Sequence, residues 1–155
     1  KPFFMTDLFS ADGVAAITGR INQLTPETKP LWGKMSVDQM LAHVNVPYEM
    51  MYEPGKHPKP KGLMKWVLKK FVKINIVNET PYKRNMRTAP SFLITGKKNF
   101  EAEKIRLITY LGKTQELGAE HFDGRESHSF GPLTKTEWNN MLSKHLDHHL
   151  TQFGV

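Results

Sequence analysis

TKTEWNNMLSKHLDHHLTQF, from Thr134 to Phe153, is the stretch whose reading decides the fold of this chain. Trp138, Met141, Leu142, Leu146, Leu150 and Phe153 recur at spacings of three or four, which lays an apolar stripe along one side of a helix. Thr134 and Glu137 form a capping box at its start. On a wheel of about 100° per residue, His149 falls inside the apolar sector, His145 lies beside it and His148 sits at its rim. Lys144, Asp147 and Thr151 point the other way.

His145 and His149 are four residues apart, so their rings project from one face with Cβ atoms roughly 5–6 Å apart. That spacing can bring two imidazole nitrogens to about 2.0–2.1 Å from a common zinc-like ion. The same pair can instead sit at the bundle surface, satisfied by water and by each other. Buried without a metal, the two rings need other hydrogen-bond partners.

Working outward, helical periodicity dominates the rest of the chain. A first helix is predicted over Ala11 to Leu24, with Val14, Ile17, Ile21 and Leu24 on one face and Pro26 and Pro30 beyond it. A second starts at Ser36, where Ser36 and Gln39 make another capping box. Val37, Met40, Leu41, Val44, Tyr48 and Met51 give it a broad apolar face, and Pro47 should bend it or end its regular part. A third helix is predicted over Asn99 to Leu117, with Phe100, Ile105, Ile108 and Leu111 inward. Between the second and third, a basic amphipathic piece spans Leu63 to Ile74, and Asn75 to Pro90 reads as a long connection. No convincing run of strand alternation appears, so the expected fold is all-α: a four-helix bundle with a long crossover between helices two and three.

The 155 residues suit one domain, 1–155, able to bury a core. Hydrophobic residues make up 39% and charged residues 24%, which excludes a disordered chain. No apolar run approaches the ~20 residues of a membrane helix. The opening KPFFMTDLF is too short and too lightly apolar for a signal peptide, so the expected location is the cytoplasm. With no cysteine, any metal must be held by imidazole, carboxylate or water. The net charge of +7 is concentrated locally: Lys56, Lys59, Lys61, Lys65, Lys69, Lys70 and Lys73 occupy one stretch with no acid among them.

A metal site needs at least a third ligand. From spacing alone, His43 flanks the apolar face of helix two and reads as a partly exposed structural histidine. His128 precedes the last helix and can reach its first turn, while His57 and His121 fall in loop-like, solvated sequence. Glu49 lies off the apolar face of helix two and reads as a surface carboxylate. Tyr48 and Trp138 are candidates to line a pocket or to fill the core.

LWGKMSVDQMLAHV, residues 31–44, together with HSFGPLTKTEWNNMLSKHLDHHLTQFGV, residues 128–155, resembles the DinB/YfiT-like superfamily, and within it a bacterial domain-of-unknown-function subgroup. The resemblance covers nearly the whole chain and implies a four-helix bundle with a long crossover. It also implies a divalent metal, zinc or nickel, held by one histidine on helix two and an H-x-x-x-H pair on helix four: His43, His145 and His149. His148 matches a position that is not usually a ligand, and His128 is left as a pocket residue or one supporting a ligand. The implied activity is that of a metal-dependent hydrolase or isomerase, or of a transferase with a low-molecular-weight thiol as co-substrate. The substrate is an unidentified small molecule, and a homodimer is compatible with the sequence.

The rival reading is a binding module without catalysis, in which residues 56–73, with Trp66 and Phe71 among the lysines, meet an anionic membrane surface or nucleic acid. The favoured expectation is plainer: a solvated lysine face with its apolar side packed on the bundle, and no nucleic acid bound. A purely structural metal site, closed by a fourth protein ligand, is the remaining alternative.

Overall fold

The last helix forms where its capping box places it. In the computed structural model, which describes residues 4–155 and so omits the first three residues of KPFFMTDLF, α7 runs from Lys135 to Gln152. Thr134 Oγ1 accepts from the Glu137 N–H at 3.1 Å, and Glu137 Oε1 accepts from the Thr134 N–H at 3.1 Å. Helix α2, Val37–Tyr52, begins in a similar way, with Gln39 Oε1 accepting from the Ser36 N–H at 3.1 Å. Helix α1 spans Ala11–Asn22, capped by Ser10 Oγ on the Gly13 N–H. It ends two residues short of Leu24, which is buried all the same.

Pro47 neither ends nor interrupts α2, which continues to Tyr52. Proline has no N–H to offer the carbonyl of residue i−4, and here that carbonyl belongs to His43. Packing on two sides maintains the helix, because α2 lies against both α5 (Phe100–Leu117) and α7. The four long helices share one core, including Ile17 and Ile21 of α1, Leu41 and Val44 of α2, Leu107 and Leu111 of α5, and Leu142 and Leu146 of α7. Arg20 of α1 pairs with Asp147 of α7 at 2.8 Å.

The crossover, residues 53–99, is more helical than its sequence suggests. It contains α3 (Gly62–Val67), a π-helical turn (Leu68–Val72), α4 (Lys73–Val77) and a short 3₁₀ turn (Pro90–Phe92). After α5 come the short α6 (Ala119–Phe122), on which His121 is half-exposed, and two strands, β1 (Arg125–Ser127) and β2 (Gly131–Leu133). The strands pair antiparallel with Ser127 opposite Gly131. The molecule is therefore mostly helical, in keeping with the all-α expectation, with one small hairpin added. Three-residue strands are too short to show alternation.

Outside the histidine cluster and the crossover, three side chains depart from their wheel positions. Ile105 is 63% exposed, while Leu107, unassigned from sequence, is fully buried. The inward row of α5 is Phe100, Leu107, Leu111 and Thr114. Glu49 is buried, not on the surface: Arg106 of α5 holds its Oε2 at 3.0 Å, and Lys56 pairs with it as well. The reason is that α2 has neighbours on two faces, so residues off its main stripe are covered too.

Lys144 is the third, at 1% exposure where a solvent-facing position was expected. Its ammonium donates to Asn75 O at 2.7 Å and to Asn78 O and Oδ1, both at 2.9 Å. Those carbonyls belong to the end of α4, where the last backbone acceptors of a helix lack partners and a cation is favoured. One lysine thereby ties the crossover to α7.

Candidate metal centre

The packing of α2 on α7 brings His43 together with His145 and His149. One ring nitrogen from each lies within 4.8 Å of the others. His43 Nε2 and His145 Nε2 are 3.0 Å apart, and the ring centroids of His43 and His149 are separated by 4.5 Å. His43 and His149 are buried, and His145 keeps part of its surface accessible. The centre thus contains the three residues that the resemblance implied. His43 is buried rather than partly exposed, for the same two-sided packing of α2 that covers Glu49.

Two of the rings have a fixed tautomer. His43 Nδ1 lies 2.8 Å from the Phe92 carbonyl; a carbonyl only accepts, so Nδ1 carries the proton and Nε2 is left with its lone pair. His149 Nδ1 lies 2.7 Å from Gln152 Oε1. The Gln152 amide is itself oriented, since its Nε2 donates to Trp32 O at 2.9 Å. His149 therefore donates through Nδ1 and also keeps Nε2 free. A metal-ligating histidine usually donates its second ring N–H to such a partner, which sets ring orientation and basicity.

Gly33 makes the Gln152 contact possible. It adopts φ +84°, and a Cβ there would stand 2.6 Å from Gln152 Nε2. Only glycine takes that backbone conformation readily while letting the amide approach so closely. Gln152, Phe92 and Gly33 were not identified as site residues from sequence. Gln152 had a readable signal, three positions after His149 on the same helix; Phe92, on the crossover, had none.

Burial keeps all three imidazoles neutral. It holds the pKa of His43 below the ordinary histidine value, with the Phe92 carbonyl opposing, and holds that of His145 well below, helped by the neighbouring His149 and His43. His149 is pushed down to about 3, first by burial and then by His43. Neutral imidazole is the form that ligates a metal.

The donor set fits a divalent ion. Two nitrogens at about 2.0–2.1 Å in tetrahedral directions stand roughly 3.3 Å apart, and the observed 3.0 Å needs only a small opening. Among the described residues the cluster comprises three ligands and no fourth. The Phe92 ring covers one side, with centroids 5.5 Å from His43 and 5.8 Å from His145.

His148 stands apart from the cluster, as the resemblance implied. It packs near Trp32 and Tyr82, each at 5.8 Å, and beside His149 at 5.0 Å. With Trp32, Pro81, Tyr82, Arg84, Lys144, Asp147 and Thr151 it lines a cavity of about 160 Å³, whose walls include none of the three clustered histidines.

His128 and Trp138 line a different and larger cavity, of about 430 Å³, whose walls include none of the three clustered histidines. His128 contacts Ser129 Oγ at 2.8 Å and the His57 carbonyl at 3.1 Å. His57, expected to be solvated, is partly buried and lines the same cavity, 3.4 Å from Glu49. Trp138 is core, edge-on to Phe122 at 5.4 Å. Tyr48 is also core, stacked on Tyr110 at 5.7 Å, and its hydroxyl has no partner among the described residues. No family model, curated protein or solved structure matches this chain.

Proposed function

We propose that this chain is a metal-dependent enzyme of the DinB/YfiT-like kind, with a divalent ion held by His43, His145 and His149 and acting on a small molecule. The observation that carries the reading is the convergence of three neutral imidazoles on one point, two of them with their Nδ1 protons already committed to Phe92 O and Gln152 Oε1. An ion in that position supplies Lewis-acid polarisation of an oxygen or sulfur ligand, and a three-residue donor set leaves a position for one. That is the chemistry of a hydrolase or of a transferase using a low-molecular-weight thiol. Zinc and nickel both suit three imidazoles.

The chain's own contributions are orientation and exclusion of water. Phe92 and Gln152 set the rings, and the Phe92 side chain shields one face. The cavity beside His148 is close to the roughly 150 Å³ that accepts a single benzene-sized group. Trp32 and Tyr82 offer aromatic walls to such a group, and Arg84, whose guanidinium lies 4.1 Å from the Trp32 ring centroid, offers a positive charge. A small substrate with one ring and one anionic group fits that lining.

The test pairs metal analysis with activity. Protein loaded with zinc or nickel is assayed against ester and amide hydrolysis and against thiol transfer, beside His149→Ala and Arg84→Ala. The reading expects activity that is lost in His149→Ala together with the metal, and a raised KM with bound metal retained in Arg84→Ala. Full metal loading with no turnover in either class would leave a metal protein without this chemistry.

A further inference from the structure

The segment from Gly62 to Val77 is helical, with Ile76 and Val77 packed on the core and a row of large apolar side chains turned outward. Leu63, Met64, Trp66, Phe71 and Ile74 are between 50% and 76% exposed, against an expectation that they would pack on the bundle. Three of the lysines, Lys65, Lys69 and Lys73, reach toward the bundle, while Lys61 and Lys70 stay exposed. Lys65 pairs with Glu126 at 4.0 Å and Lys73 with Glu137 at 3.5 Å. Between them the Lys69 stem lies over Gly131, where a Cβ would meet its Cε at 2.9 Å. Spaced four apart, Lys65, Lys69 and Lys73 form one row toward the bundle, and the apolar row is left largely uncovered among the described residues. Trp66 and Phe71 pack edge to face at 5.7 Å, with Lys70 Nζ 5.1 Å from the Trp66 ring. A contiguous outward apolar surface of this kind marks an interaction site.

We propose that this face docks the protein onto an anionic bilayer surface, with Leu63, Met64, Trp66, Phe71 and Ile74 entering the headgroup boundary. Charge decides the occupant. Lys59, Lys61 and Lys70 flank the apolar row and form no ion pair among the described residues. A two-fold dimer would set this patch against its own copy and bring the lysine-rich stretches of both chains together. An acidic lipid surface attracts those lysines and also accepts the apolar row. Nucleic acid would use the lysines and the aromatic rings but gains nothing from Leu63, Met64 and Ile74. No helix of the described residues is long and apolar enough to cross a membrane, so the contact is peripheral.

The experiment is co-sedimentation of the metal-loaded protein with vesicles of phosphatidylcholine plus phosphatidylserine, beside vesicles of phosphatidylcholine alone. Binding to the acidic vesicles that weakens as salt is raised is expected. Trp66→Ser with Phe71→Ser should lower the partition coefficient at least about tenfold, and Lys61→Glu with Lys70→Glu should remove the preference for acidic lipid. Because all four side chains are exposed, the helical circular dichroism and metal content of both variants should match the parent. His149→Ala should bind vesicles as the parent does, so failure of the metal reading leaves this result standing. Absence of vesicle binding at low salt would overturn the proposal. So would an undiminished partition of the serine variant, self-association that this variant abolishes, or tighter binding to duplex DNA than to acidic vesicles.

Discussion

His43 Nε2 and His145 Nε2 face each other at 3.0 Å across a sequence separation of 102 residues. Because the Phe92 carbonyl fixes the His43 proton on Nδ1, only His145 can supply a proton to that contact. Without a metal, His145 donates through Nε2 to His43. With one, that proton must leave Nε2 and both nitrogens turn their lone pairs to the same point. The contact joins α2 to α7 in either state, and the change of tautomer on His145 is a mark of loading that nitrogen-15 imidazole spectra can read.

Gln152 sets the third ring. Gln152→Ala removes the acceptor for the His149 Nδ1 proton and should lower metal affinity by about 10–100-fold, with the helical fold retained. Gly33→Ala should act in the same direction, because its Cβ would displace the Gln152 amide. Competition against a chelator of known affinity measures both, and an unchanged constant for Gln152→Ala would remove it from the site.

Acid should destabilise the metal-free protein. Burial lowers the pKa values of His43, His145 and His149 below the ordinary 6.5, to about 3 for His149. Between the folded and unfolded values the unfolded chain binds more protons, so stability falls as pH falls. The loss begins near pH 6.5 and continues toward pH 3. Urea midpoints across that range should decline steadily in the metal-free parent and less steeply in His149→Ala, which has one such group fewer.

Lys144 holds the crossover. Lys144→Met keeps the buried stem but leaves Asn75 O and Asn78 O without their donor, which should cost about 2–3 kcal/mol. Burial pushes its amine down to about 8, and the three oxygens around it oppose that shift, so the group is charged at neutral pH. Chemical denaturation of the variant checks the figure, and a change under ~0.5 kcal/mol would place Lys144 among ordinary surface lysines.

Glu49 joins α2 to α5 through Arg106 and to the crossover through Lys56. Glu49→Ala removes the buried carboxylate that the partly exposed Arg106 and the exposed Lys56 share, and should cost about 1–2 kcal/mol. In Arg106→Leu with Glu49→Leu, where neither charge is left alone, the loss should be smaller. Urea denaturation of the two variants and of the parent, compared at one pH, separates these outcomes.

What was legible in the sequence followed from short-range pattern. Thr134 with Glu137 and Ser36 with Gln39 mark helix starts because a cap depends on residues three apart, and His145 with His149 share a face for the same reason. The burial of Glu49, Lys144 and His43 was not legible. Each lies off the main apolar stripe of its helix, and its cover comes from a second neighbour that a wheel does not contain. The placement of His43 rested on the family resemblance. The outward stripe of Leu63, Trp66 and Phe71 was misassigned because periodicity reveals that a helix has two faces and not which one meets the protein. Glu126 and Glu137, with which Lys65 and Lys73 pair, lie more than sixty residues away.

The central claim is tested most directly by the metal content of the untagged protein after reconstitution with zinc or nickel, measured by plasma mass spectrometry beside His149→Ala and His148→Ala. The predicted result is one divalent ion per chain in the parent and in His148→Ala, and none in His149→Ala. Full occupancy in His149→Ala, or no retained metal in the parent, would contradict it.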